Sequence, residues 1–317
     1  MIACLKSLRT PALAGVFALV VAMLGGCATA QIENLASHWP ANLPAQVELT
    51  GVPFFPQNDY ECGPAALAMV AGAAGIEVSP ESLVEQVYLP GRKGSLQQEM
   101  MAATRRQGLV AYPLSPQIES ILREVAAGNP VLVFQNLAFS ISPVWHYAVV
   151  IGYDRDRNVL LMHSGRTERM EISLFAFERT WARGNYWSMV ALSPKRLPVT
   201  AEPNIYGVAV AALERTSPRA AQSAYATALK AWPEDRTALL GAGNAAYALG
   251  EYENAIKAYR QAVDRHADFA DAWNNLAQVL LEQGRRDEAS KAVSRAVALG
   301  GPRLAQYLEL QQTIGRK

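Results

Sequence analysis

The sequence predicts two units in series, an α+β domain followed by an all-α domain of repeated helical hairpins, and three observations predict them. Between Val47 and about Ser193 helical patterns come first and strand-like apolar runs afterwards, the order expected of an α+β domain with antiparallel strands. Past Pro198 the strand signals vanish and alanine dominates. In that last stretch residues recur at a period of 34: Ala221, Ala255 and Ala289, then Ala228, Ala262 and Ala296, with Gly250 paired to Gly284. Half of the 317 residues are hydrophobic and 18% are charged, which excludes disorder, collagen and coiled coil and supplies apolar surface for two cores. With 29 basic against 28 acidic side chains the chain has no nucleic-acid footprint.

Residues 1–26 carry Lys6 and Arg9, then an apolar run from Ala12 to Leu24, and end in Gly25-Gly26 before Cys27. The shape is that of a secretory signal, too short to span a bilayer comfortably. Leu24-Gly25-Gly26-Cys27 resembles the lipobox of bacterial lipoproteins. That resemblance implies lipidation of Cys27, a membrane anchor through the lipid and, with Ala28 next, an outer-membrane lipoprotein facing the periplasm; cleavage near Ala30 is the plain alternative. Residues 27–44 mix small, polar and Pro residues without a period and read as a tether. Of the three cysteines, Cys4 leaves with the leader and Cys27 would carry lipid, so Cys62 stands without an intramolecular partner in a compartment where disulfides persist.

Within 45–197, Ala65 to Ala74 and Pro80 to Tyr88 read as helices. Ser95 and Gln98 form a capping box opening a helix that stops at Gly108, and Ser115-Pro116 starts another ending near Gly128. Strands follow at Pro130 to Phe134, His146 to Tyr153, Val159 to His163, Arg169 to Ile172 and Tyr186 to Leu192, with a short helix from Leu174 to Arg183. Asp154 to Asn158 is the hairpin loop between two of these strands. In 198–317 the apolar-x2-apolar-small and Ala-x3-Tyr-x2-Ala patterns resemble the tetratricopeptide repeat. Repeats fall at about 202–235, 236–269 and 270–303, with a capping helix at 304–312. Small residues let the two helices of a repeat approach and larger ones fill the gap to the next. The resemblance implies a groove for a peptide or protein partner; covering the first domain or self-association are the alternatives.

Cys62 precedes the first helix with Pro64 just inside it, where N–H groups and the helix dipole lower a thiol pKa. Of the four histidines, His38 lies in the tether and His266 at the end of a repeat helix, leaving His146 and His163. His146 opens an otherwise apolar strand, a place that packing explains poorly. A helix-borne Cys meeting a strand-borne His is the papain-like arrangement, and Gln57 just upstream offers a side-chain N–H beside the Cys62 amide for an oxyanion hole. A buried, inert Cys62 is the competing reading.

The run Gln57…Cys62-Gly63-Pro64-Ala65-Ala66-Leu67, with His146-Tyr147-Ala148-Val149-Val150-Ile151-Gly152-Tyr153-Asp154 beginning 84 residues after the cysteine, resembles the C39-like cysteine peptidases with fused tetratricopeptide repeats. The resemblance covers about 45–195. It implies a papain-like fold with Cys62 as nucleophile, His146 as general base and acid, and Gln57 in the oxyanion hole, acting on a peptide or protein substrate. Where the family carries an orienting Asp, this sequence has His163-Ser164. His163 or Asp154 could orient His146, or nothing does. A hydrolase, an acyl transferase on the same constellation and a catalytically silent scaffold all remain open. No metal or phosphate-cradling pattern appears, so neither metal nor cofactor is expected.

Overall fold

The computed structural model describes residues 30–57 and 61–316. The leader 1–26 and Cys27 lie outside them. The first domain runs helix α1 (Ala30–Ser37), strand β1 (Gln46–Glu48), α2 (Cys62–Ala73), α3 (Pro80–Val87), β2 (Tyr88–Leu89), β3 (Gly94–Ser95), α4 (Gln97–Arg106) and β4 (Val110–Pro113). It continues with α5 (Ile118–Ala126), β5 (Val131–Asn136), β6 (Trp145–Asp154), β7 (Val159–Ser164), β8 (Thr167–Ser173), α6 (Leu174–Arg183) and β9 (Ser188–Leu192). Seven strands form one sheet of antiparallel pairs in the order β4-β9-β5-β6-β7-β8, with β1 added against β6.

Both faces of the sheet are covered, which is why β5 and β6 read as continuous apolar runs rather than alternating ones. On one face Leu132, Tyr147, Val149, Ile151, Leu161 and Met189 pack on α2, α3 and α4. On the other, Val131, Val133, Ala148, Val150, Met162 and Val190 pack on α1, α5 and α6. Successive side chains of one strand thus serve opposite cores. Ser79 caps α3 by accepting from the Ser82 N–H, and Ser173 caps α6 through the Ala176 N–H.

Two expectations fail here. Ser95 does not cap a helix: it lies in β3, Leu96 is the residue before α4, and that helix has no side-chain cap. A short hairpin, β2 paired with β3, claims the serine first. The stretch expected as a tether is built into the domain from residue 30 on. In α1, Ile32 and Leu35 are buried three residues apart on one face. The buried Glu178 carboxylate accepts from the Gln31 and Ile32 N–H groups at 3.2 and 3.1 Å, a negative charge at a helix N-terminus. Gln31 also accepts from the Ile118 N–H at 2.7 Å, and Trp39 packs on Tyr153.

The second unit is a run of antiparallel helices: α7 (Pro203–Glu214), α8 (Pro218–Ala231), α9 (Arg236–Ala248), α10 (Tyr252–Arg265), α11 (Ala270–Glu282), α12 (Arg286–Leu299) and α13 (Leu304–Gly315). The alanine columns at the 34-residue period are buried throughout, and Gly250 and Gly284 end α9 and α11 in the same left-handed conformation, φ 73° in each. The two units share one core. Tyr206, Ala209, Val210 and Leu213 of α7 join the cluster that holds Val110 and Tyr112 of β4. The connecting segment is stitched to the first domain as well. The Thr200 N–H and hydroxyl donate to the buried Glu124 at 2.8 and 2.6 Å, while the Tyr112 hydroxyl donates to the Thr200 carbonyl and accepts from the Glu202 N–H. Among the described residues no helix is long and apolar enough to cross a membrane.

Candidate active site

The site forms where β6 outruns its neighbour. β6 pairs with β5 from Trp145 to Val150, but its pairing with β7 begins only at Val149 opposite His163. The first residues of β6 therefore present an unpaired main-chain edge. The start of α2 and the segment carrying Gln57 fill it. The Cys62 sulfur faces the N–H groups of Tyr147, Gly63 and Cys62 itself. The Gln57 side chain donates to the Tyr147 carbonyl at 3.5 Å, and its main-chain N–H donates to the Gly165 carbonyl at 3.1 Å. Gln57, Cys62, His146 and Tyr147 line a single cavity of about 980 Å³.

Gly63 makes the junction possible. A Cβ there would lie 2.7 Å from the Ser95 Cβ, so β3 can rest against the start of α2 only where the side chain is hydrogen. The Tyr147 hydroxyl donates to the Ser95 carbonyl at 3.2 Å and holds the same hairpin from the strand side.

His146 Nε2 is 2.9 Å from the Ser164 hydroxyl. With Nε2 so engaged, Nδ1 is the nitrogen left for proton exchange with a thiol. Burial lowers the His146 pKa to about 4, so the ring is neutral across the physiological range. Burial also pushes the Cys62 thiol up, and the three N–H groups facing the sulfur offset this only in part. The resting pair is thus thiol and neutral imidazole. The helix start is expected to lower the thiol pKa; here burial, the larger effect, acts against the N–H groups that face the sulfur and raises it.

His163 does not orient His146. Its ring nitrogens face the Glu168 carbonyl and, at 3.2 Å, the Val52 carbonyl, and its ring packs on Phe54 at 5.2 Å. It is buried, and desolvation lowers its pKa. It braces the segment that leads to Gln57. Asp154 is not near either: it lies at the far end of β6, eight residues or roughly 26 Å from His146, where its carboxylate accepts from the Arg157 N–H of the hairpin. The residue that does meet His146 is Ser164, one place beyond the strand position assigned to His163. Strand alternation carries the signal: neighbours in β7 point to opposite faces, so only one of the pair His163-Ser164 can turn toward His146. Among the described residues no group of three His, Cys, Asp or Glu side chains is placed to hold a metal ion.

A helix-borne thiol, a strand-borne imidazole and a glutamine on one cavity of an α+β domain define the arrangement of a thiol peptidase fold. Residues 49–189 match the Peptidase_C39 like family, and 206–268 and 240–303 match the tetratricopeptide repeat, so the chain carries a C39-like peptidase domain followed by such repeats. Among solved structures, a C39-like peptidase of Bacillus anthracis is similar at 20% identity, with 47% of this chain and 98% of that chain covered and a TM-score of 0.39. The peptidase domain of Streptococcus ComA, a bifunctional ABC transporter, is similar at 20% identity over 44% of this chain and 98% of that one, with a TM-score of 0.37. The Yersinia enterocolitica type III secretion chaperone SycD, solved with a peptide of the translocator YopD, is similar at 20% identity over 35% of this chain and 88% of that one, with a TM-score of 0.33. No curated protein matches the chain.

Proposed function

We propose that the protein is a cysteine peptidase of the cell envelope, anchored through lipid on Cys27 at the outer membrane, that cuts an amide in a peptide or protein by way of an acyl-thioester. Its repeats recruit the substrate or a partner. The observation that carries the reading is the placement of Cys62 and His146 on one cavity, with His146 Nε2 held by Ser164.

In this mechanism the Cys62 sulfur attacks the scissile carbonyl as its proton passes to His146. Gln57 and the Cys62 N–H face the oxygen that becomes negative. The imidazolium then protonates the departing amine, leaving the acyl-thioester, which water cleaves with His146 again acting as base. Because the resting pair is neutral, the proton moves during attack rather than before it.

The test is to incubate the purified chain with a peptide library and follow new termini by mass spectrometry, with Cys62→Ala and His146→Ala in parallel. The expected result is cleavage by the wild-type chain alone, with a thioester adduct on Cys62 trapped at low pH. A second reading, an anchored interaction scaffold, draws on one specific feature: the orienter is a hydroxyl where the family carries a carboxylate. Loss of the carboxylate in a serine triad costs about four orders of magnitude in rate. Absence of both cleavage and adduct would establish that reading instead.

A further inference from the structure

Among the described residues the charge on the walls of the Cys62–His146 cavity is one-sided. Arg92 and Lys93 reach it from the turn joining β2 and β3, Arg166 from the turn joining β7 and β8, and Arg183 from the end of α6. No Asp or Glu among the described residues lines it. Composition does not account for this, since acidic and basic residues are almost equal in number over the whole chain. Three separate elements converge to bring the cations together. Arg183 is fixed there by donating Nε and Nη2 to the Asn136 carbonyl at 3.1 and 3.0 Å, a neutral acceptor that holds the guanidinium without cancelling its charge.

An apolar shelf lies within the same cavity. Phe134 stacks on Trp145 at 5.2 Å with an interplanar angle of 10°, and Val144 adjoins them. Val144 and Trp145 are about half exposed, at 53% and 51%. A cleft with cations around an aromatic shelf does not suit a bare inorganic anion, which has no use for the shelf, nor a basic peptide, which the cations repel.

We propose that the cleft selects an acidic peptide segment, with carboxylates against the Arg92, Arg166 and Arg183 side chains and an apolar side chain on the Phe134–Trp145 shelf. This deepens the peptidase reading and rests on Cys62 as the reacting residue. It is nonetheless a statement about recognition, and recognition can be measured without turnover.

The experiment uses the full chain and the alkylation rate of Cys62 as its reporter, at a pH where the thiol reacts. Iodoacetate is compared with the neutral iodoacetamide, and free cysteine sets the reference ratio. The ratio for Cys62 is expected to exceed that of free cysteine by about tenfold or more at low ionic strength and to shrink as salt is added. It should fall toward the reference in the double variant Arg92→Gln, Arg166→Gln, whose circular dichroism reports whether it has folded. In a second arm, a peptide of alternating Glu and Leu is expected to protect Cys62 from iodoacetamide at about a tenth of the concentration needed by its Gln and Leu counterpart. A ratio equal to that of free cysteine, or equal protection by the two peptides, overturns the proposal. Protection by the acidic peptide together with neither cleavage nor adduct in the peptide-library experiment keeps the recognition and removes the peptidase reading, so the two failures are separable.

Discussion

Ser164 offers His146 a hydrogen bond where a carboxylate would offer a charge as well, and that difference can be read in a pH profile. Burial holds the His146 pKa at about 4. The base is therefore available down to acid pH, and the acid limb of kcat/KM is expected near that value rather than near that of an ordinary imidazole. Ser164→Asp places an anion beside the ring and stabilises the imidazolium, so the limb moves to higher pH and kcat rises. Ser164→Ala loses about one hydrogen bond of orientation, near tenfold in kcat, with the limb unmoved. A limb that stays put in the Asp variant would show that Ser164 does not act on His146. The same depressed pKa bears on stability. Between about pH 6.5 and 4 the unfolded chain binds a proton on this residue that the folded chain refuses, so this contribution is present above that window and lost as pH falls through it. The sequence makes Cys62, His146 and Gln57 legible because each is a reactive or polar type at a place that packing does not explain. It does not distinguish His163 from Ser164, because spacing along a hairpin fixes a position only to within one residue while the face of the strand reverses at every step.

Elements of fewer than about four residues escape the pattern for a related reason: two or three residues contain no period. β2 and β3, two residues each, were invisible in this way, and so Ser95 read as a cap although it belongs to the hairpin that presses on α2. The helix α1 hid among small and polar residues because only Ile32 and Leu35 mark its buried face. Longer elements, α2, α3, β5, β6 and α6, are legible because burial repeats along them. The hairpin is also where the next test falls. Gly63→Ala drives a methyl against the Ser95 Cβ, and since both residues belong to regular elements, the hairpin must move. The expected cost is about 1–3 kcal/mol in denaturant unfolding, together with a faster alkylation of Cys62 as the wall carrying Arg92 and Lys93 opens. A variant of unchanged stability and unchanged thiol reactivity would mean that the hairpin does not close the site.

At the scale of the molecule the question is whether the repeats hang from the first domain or fold with it. The alanine period reveals that the helices exist, but not where their first pair packs, because an apolar residue on α7 looks the same whether it faces α8 or β4. The structure joins them: Tyr206, Val210 and Leu213 enter the same core as Tyr112 and Val190, Tyr206 packs on Tyr112 at 6.3 Å, and the buried Glu124 holds the connecting segment by Thr200. A polar linker that merely tethered two domains would leave that apolar face of α7 in water, so the two cores should melt together. Leu213 is fully buried, and Leu213→Ala removes part of the shared core at a cost of about 2–5 kcal/mol. If the units fold as one, hydrogen-exchange protection of amides in β4 and β9 and in α8 and α9 falls together in this variant, and calorimetry shows a single transition before and after the substitution. If the repeats lose protection while β4 and β9 keep theirs, the joint is only a contact, and the direction in which the repeats point is not fixed relative to the cleft.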